Sequence, residues 1–302
     1  MHVIVHGGAG SAPAAPTARQ GVLDDAAAAG AATSTPLAAV ESAVRVLEHD
    51  ERFNAGRGGA VQADGTVRVD AGVMTSTRAV GAVASLTGVE HPVTVARAVC
   101  EETPHVLLAG DGGVAFAEHV GVETDVDLFT AATRERFAAA DPPSEPSAQV
   151  AWVRDHFGDD TGGADPTVGD GDGDGTRGTD HDTVGAVAGD GDRFAAATST
   201  GGRWFALAGR VGDVPQAGSG FYCTPAGGAS ATGAGEDITR ATLARRAVDG
   251  LEAGEDPQAA AEAALERFAA ETESTAGLIV LSADGVGSAY NSEAMQTAVA
   301  RR

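Results

Sequence analysis

The chain has 302 residues, 43% of them apolar, enough for one large domain or two ordinary ones with a sizeable core. Its 43 acidic residues outnumber 20 basic ones, all of them Arg, and the net charge of −23 runs along the whole chain. That balance excludes the cationic footprint of a nucleic-acid binder. It suits a halophilic, high-salt setting in which repulsion is screened, with GC-rich coding bias as the plainer alternative.

"MHVIVH" reads as a short β-branched strand broken by "GGAGSAP". The opening residues lack the basic and apolar regions of a signal peptide. Thr35-Pro36 reads as an N-cap followed by Pro at the first helical position, and Leu37, Val40, Val44 and Leu47 then predict an amphipathic helix over 36–49. "FNAGRGGAV" is a glycine-rich loop, and Asp64-Gly65 predicts a hairpin turn between "AVQA" and "TVRVDAGVM". Residues 92–102 and 112–121 read as helices, joined by "HVLLAG" as a connector or short buried strand. Residues 157–181 are almost wholly Gly, Asp and Thr, the composition of a flexible linker. "TVGAVAGD" and "RFAAATSTGG" then read as two strands around a tight turn. A helix is expected over 237–252, with Arg240, Arg245 and Arg246 on its polar face. Asp256-Pro257 opens another, with Leu265 and Phe268 buried, and "GLIVLSADGVGSAYN" closes as a hairpin. Strands in the centre with helices outside argue for a layered α/β domain. No apolar run reaches membrane-spanning length. Two scattered cysteines, Cys100 and Cys223, fit a reducing compartment, so the expected location is the cytoplasm.

The acidic run places Asp170, Asp172, Asp174 and Gly175 as in the opening of a calcium loop, but the twelfth position is His181 instead of a bidentate Glu. A solvated linker fits better. His49 and His119 carry no metal-ligand spacing and are read as surface residues. The junction Asp182-Thr183, between the polar run and an apolar strand, carries more chemistry. A threonine hydroxyl needs a base. Cleavage before Thr183 would free an α-amine with an unperturbed pKa of about 8, and one residue would then supply both nucleophile and base. Spacing alone leaves this level with a threonine that merely begins a strand.

The ordered set "HGGAG", "LEHDERFNAGRGGAV", "DAGVM", "PHVLLAG", "HDTVGAVAGD", "AAATSTGG", "GRVGD" and "ATGAGEDI" covers most of the chain outside the linker. It resembles the N-terminal-threonine hydrolases: plant-type asparaginases, isoaspartyl peptidases and glycosylasparaginases. The resemblance implies a four-layer αββα sandwich of the N-terminal-nucleophile hydrolase type. It implies a precursor that cleaves itself between Asp182 and Thr183, giving an α subunit of residues 1–182 and a β subunit of 183–302. Thr183 would attack the side-chain amide of asparagine or of a β-aspartyl peptide and form an aspartyl-enzyme. By position, Thr200 tunes the nucleophile, Arg210 and Asp213 grip the substrate's α-carboxylate and α-ammonium, and Thr232 with Gly233 donates to the oxyanion. Gly235 adds a backbone contact to substrate, and Asn54 shapes the site. Gly7, Gly8 and Gly10 form a glycine-rich loop bordering it. Carbonyls of Leu47, Glu48 and Phe53 could hold a structural sodium ion; catalysis is expected to need no cofactor. The expected assembly is a dimer of cleaved heterodimers, with a small amide or dipeptide as ligand. Asp182 departs from the plant-type glycine; "HDT" is glycosylasparaginase-like, while "FNAGRGG" and "DAGVM" are plant-type. Glycosylasparaginase activity is therefore the alternative, and a non-processing binding protein of the same fold the third reading.

Overall fold

The computed structural model describes residues 1–157 and 183–302. The calcium-like stretch, His181, Asp182 and all of the linker except Phe157 lie outside the described residues. Phe157 itself ends a helix.

The first part runs β1 (His2–Gly10), α1 (Pro16–Ala31), α2 (Pro36–His49), β2 (Val69–Thr75), β3 (Val80–Leu86) and α3 (Pro92–Glu102). It continues with β4 (Leu107–Ala109), α4 (Gly110–His119), α5 (Ala131–Ala140) and α6 (Pro146–Phe157). The second part holds β5 (Val184–Gly189), β6 (Phe194–Thr200), β7 (Phe221–Thr224), β8 (Gly227–Gly233), α7 (Gly235–Ala241), α8 (Leu243–Glu252) and α9 (Pro257–Glu271). It ends with β9 (Ala276–Ser282), β10 (Gly285–Tyr290) and β11 (Ala294–Arg301). One seven-stranded sheet has the order β11-β1-β5-β6-β2-β3-β4, and a four-stranded sheet has the order β10-β9-β8-β7.

Successive strand side chains point to opposite faces, and here both faces are buried. In β5, Val184, Ala186 and Ala188 meet the cluster that contains Leu23 of α1, Val44 of α2 and Val93 of α3. Val187 faces the other way, into a layer with Ile4, Phe221, Ile279 and Leu281. In β9, Leu278 and Val280 pack with Leu243 and Val248 of α8 and Phe268 of α9. Ile279 and Leu281 return to the layer between the sheets. That is why these strands read as continuous apolar runs and not as alternating ones.

Small residues let the sheets approach. A Cβ on Gly72 of β2 would lie 2.0 Å from Cε1 of Phe221. Gly72→Ala is expected to cost about 1–3 kcal/mol, the usual range for overpacking. Urea unfolding checks this, and adding Phe221→Leu should restore part of the loss.

Several expectations hold closely. Thr35 Oγ1 accepts from the Ala38 N–H and α2 spans Pro36–His49. The β5–β6 turn is tight, with Arg193 N donating to Asp190 Oδ1 at 3.1 Å. Others need correction. The glycines at 7–10 do not form a loop: β1 runs through them to pair Gly10 with Ala294, with a register shift between His6 and Ala9. Asp64-Gly65 makes only an isolated Val61–Val67 bridge, and the strand in that region pairs elsewhere. "HVLLAG" yields a three-residue edge strand with Leu107 exposed, not buried. The helix expected over 237–252 breaks at Thr242, whose φ of 49° is left-handed. The closing hairpin is followed by β11, which crosses to the other sheet and pairs with β1.

Candidate active site

The centre of the large sheet positions the threonines. β5 and β6 pair Val184 with Ser199, so the preceding residue, Thr183, faces Thr200. Thr183 Oγ1 donates to Thr200 Oγ1 at 3.3 Å, and both residues are buried. Thr200 in turn pairs with Asp70 of β2. The three side chains thus start from one line across the sheet.

A pocket of about 280 Å³, counting its open mouth, is lined by Thr183, Thr200, Gly202, Arg203, Arg210, Gly212, Asp213, Gly233 and Gly235. Six of the residues singled out in the sequence therefore share one wall. The segment after β6 brings Arg210 and Asp213, and the end of β8 brings Gly233. A Cβ on Gly235 would lie 2.8 Å from both Arg210 Nη2 and Asp213 Oδ1, so a side chain there would displace the two groups that face the pocket.

Arg210 Nε and Nη2 both donate to the Glu236 carboxylate, each at 2.8 Å. One edge of the guanidinium is therefore taken, and Nη1 and Nη2 lie about Gly212, where a Cβ would be 3.0 Å from each. Burial opposes ionisation of Glu236, but the Arg210 hydrogen bonds and charge hold its carboxyl down at about 2. Asp213 behaves oppositely. Burial lifts its carboxyl to about 7 against the pull of Arg210. Its Oδ2 is buried and accepts no hydrogen bond from the protein. Asp70, also buried, is lifted to about 6 although its carboxylate accepts from Ser85 N at 2.7 Å and feels Arg210. Orphaned buried acceptors are uncommon and cost free energy unless a ligand satisfies them.

Asn54 and Thr232 do not line the pocket. Asn54 Nδ2 donates to the carbonyl of Gly202 at 2.6 Å and Oδ1 accepts from Ala60 N at 2.7 Å, so it braces the wall from behind. Thr232 is fully buried beside Gly233, and its Oγ1 accepts from Ala9 N at 3.3 Å. Through that contact β1 touches the site; Gly7, Gly8 and Gly10 do not line it. Arg19 ties this strand to the loop after α2, donating to the Gly7 carbonyl and lying 4.5 Å from the ring centre of Phe53. Leu47 and Glu48 fall in the last turn of α2, and Phe53 follows it.

Three residues escaped the sequence reading. Glu236 and Asp70 sit inside the quoted "ATGAGEDI" and "DAGVM" motifs, but nothing local marks them as partners of Arg210. His6 is buried; its Nε2 shares a hydrogen bond with Ser230 Oγ at 2.9 Å, and Ser230 with Thr198 at 2.8 Å. Burial takes this imidazole down to about 3, so it stays neutral. Both cysteines are free. Among the described residues, no helix is long and apolar enough to cross a membrane.

Across this small pocket the buried Thr183 hydroxyl faces two arginines and one buried carboxylate, a set of groups that matches the opposite charges of a zwitterionic ligand. The family model described as "Asparaginase" matches residues 1–302, and the chain belongs to that family, a family of hydrolases acting on amides. It is 41% identical to a plant-type L-asparaginase of Pyrobaculum calidifontis, over 97% of this chain and 94% of the relative. It is 37% identical to a plant-type L-asparaginase of Pyrococcus abyssi, over 98% of this chain and 95% of the relative. An isoaspartyl peptidase/L-asparaginase of Mus musculus is 36% identical over 82% of this chain and 69% of the relative. None of these similarities supports the halophilic reading of the composition.

Proposed function

We propose that the chain is an autoprocessing amidohydrolase that releases L-aspartate from L-asparagine, from β-aspartyl peptides, or from both. The observation that carries this is the single pocket wall on which Thr183 and Thr200 meet Arg210 and a buried Asp213 carboxylate with one unpartnered oxygen. The helices packed outside the two facing sheets support a four-layer αββα arrangement of the N-terminal-nucleophile type. The hydroxyl of Thr183 attacks the carbonyl of Asp182, an N-to-O acyl shift, and water hydrolyses the ester. The freed α-amine then takes the proton from the same hydroxyl as it attacks the substrate's side-chain amide. Thr200 holds that oxygen in place, and the Gly233 N–H stabilises the tetrahedral oxyanion, with Thr232 bracing the wall behind it. Ammonia or an amine departs, and water releases aspartate from Thr183. The Nη1/Nη2 edge of Arg210 takes the α-carboxylate, since Glu236 holds the other edge, and Asp213 takes the α-ammonium.

The names of the relatives favour asparagine and β-aspartyl peptides. The sequence His181-Asp182-Thr183 favours N4-substituted asparagine instead. Comparing ammonia release from asparagine with hydrolysis of β-aspartyl-leucine and of N4-glycosyl-asparagine ranks the three. Turnover of none of them overturns the proposal.

Asp213 sets a pH dependence. Its folded pKa, about 7, lies above the ordinary carboxyl value, so the folded chain keeps this proton longer than the unfolded one. Its contribution to stability therefore falls as pH rises from about 4 to 7. Ligand binding runs the other way, because the α-ammonium needs the ionised carboxylate. L-Aspartate affinity should weaken about tenfold per pH unit below 7 and level off above it. Calorimetric titration from pH 6 to 8 checks this, and Asp213→Asn should remove that limb.

A structural sodium ion fits the loop after α2 in part. The carbonyls of Glu48 and Glu90 converge on Gly56, where a Cβ would lie 2.5 and 2.4 Å from them, and such hard oxygen donors suit a hard cation. The Glu48 carbonyl also accepts from Arg57 N at 2.9 Å. Leu47, Glu48 and Phe53 would hold the ion and stiffen the segment that carries Asn54. Cytoplasmic location and a dimer of cleaved heterodimers complete the reading.

A further inference from the structure

We infer that His49, Glu90 and His91 form a binding site for one divalent transition-metal ion, zinc being the suitable probe. His49 ends α2, and Glu90 and His91 directly precede Pro92 at the start of α3. The fold brings these two helix ends together although 41 positions separate His49 from Glu90. One ligand atom from each of the three residues lies within 4.8 Å of the other two. His49 lies on the surface, as the sequence reading has it, but it is not isolated, since its Nδ1 meets Glu90 Oε1.

The chemistry of the set is that of a borderline-soft cation. Two imidazoles and one carboxylate with an open fourth position make a zinc-type ligand set, with ligands about 2.0–2.2 Å from the ion. The hard-oxygen carbonyl loop beside it is a different kind of site. His49 Nδ1 and Glu90 Oε1 are already 2.6 Å apart, sharing a proton where the cation would sit. Seating the ion exchanges that proton for the metal and spreads the two atoms to roughly 3.3 Å, the edge of a zinc tetrahedron. His49 can make that move, since its side chain is 72% exposed.

The second observation is the support behind His91. Glu48 is fully buried, and its Oε2 lies 3.2 Å from His91 Nδ1. Its Oε1 is fixed by Val93 N at 3.1 Å and by Ser199 Oγ at 2.7 Å. A carboxylate held this firmly takes the Nδ1 proton and leaves the lone pair of Nε2 for a metal, the carboxylate–histidine–metal arrangement of protein zinc sites. Arg57 Nη2, 3.6 Å from Glu90 Oε2, occupies the second oxygen of Glu90 and leaves Oε1 as a single ligand. The ion would clamp α2 to α3, two hydrogen bonds away, through Glu48, from Ser199, the neighbour of Thr200 in β6.

The test uses the full chain without a histidine tag, stripped with chelator, in calorimetric titration with zinc. Metal analysis after gel filtration and the visible spectrum with cobalt accompany it. The expected result is one zinc per chain and a four-coordinate cobalt spectrum. His49→Ala and Glu90→Gln should each weaken binding about tenfold or more, while His105→Ala, an exposed histidine elsewhere, leaves it unchanged. The proposal is overturned if no zinc is retained at about 1 mM, a weak-binding limit near 4 kcal/mol. It is equally overturned if the His49→Ala/Glu90→Gln pair binds zinc as the unaltered chain does.

Discussion

Thr183→Ala is expected to remain one full-length band on a denaturing gel, while the unaltered chain separates into residues 1–182 and 183–302. Turnover of asparagine should fall on the order of 10⁶-fold, the scale seen when a hydrolase loses its nucleophile. Both losses follow from one atom. In the proposed mechanism the hydroxyl that attacks the preceding carbonyl is the one that later attacks substrate, and among the described residues it donates to Thr200 Oγ1 at 3.3 Å. Alanine keeps only the Cβ, losing the hydroxyl and the γ-methyl and adding no bulk, so the β5–β6 pairing persists and a loss of fold does not explain the result. Thr183→Ser keeps the oxygen and should retain cleavage at a reduced rate. N-terminal sequencing of the small fragment should read Thr-Val-Gly-Ala. A Thr183→Ala chain that still splits at this bond would end the account.

Arg210→Lys should lower kcat/KM for asparagine about 10²–10³-fold, equivalent to roughly 3–4 kcal/mol of transition-state binding. The guanidinium presents two usable edges, and the structure commits one to Glu236 through paired 2.8 Å hydrogen bonds. A lysine ammonium is a point charge and cannot hold Glu236 bidentately while gripping a carboxylate. Glu236, held at about 2 by Arg210, would then compete with the substrate for the remaining charge. β-Alaninamide, which is asparagine without its α-carboxylate, distinguishes this from general damage. It should be a poor substrate for both forms, by nearly the same factor. A large loss on β-alaninamide as well would mean that Arg210 supports the architecture and not the recognition.

The residues near the site were legible to different depths. Thr183, Thr200, Arg210, Asp213, Gly233 and Gly235 stand out through ordered motifs, and all of them line one pocket. Asn54 and Thr232 come from the same motifs but brace the wall instead of forming it. Glu236 lies 26 positions from Arg210 and His6 lies 224 from Ser230, so no local pattern connects either pair. The glycines at 7–10 look like a turn because glycine usually breaks strands. Pairing with β11 on one edge holds β1 extended through them.

From residue order alone came the features that depend on near neighbours. The Thr35–Pro36 cap, the 3.6-residue rhythm of α2, the tight turn into β6 and a possible nucleophile after the acidic run are all written within a few positions. Only the three-dimensional packing settled the rest. β11 crosses sheets, Thr242 breaks a helix, Arg210 is shared between Glu236 and the pocket, and two helix ends bring His49 to Glu90 and His91. These depend on sheet register and on contacts between residues far apart in the chain. Such contacts leave no periodic trace in the sequence, because each partner satisfies its own local pattern equally well without the other.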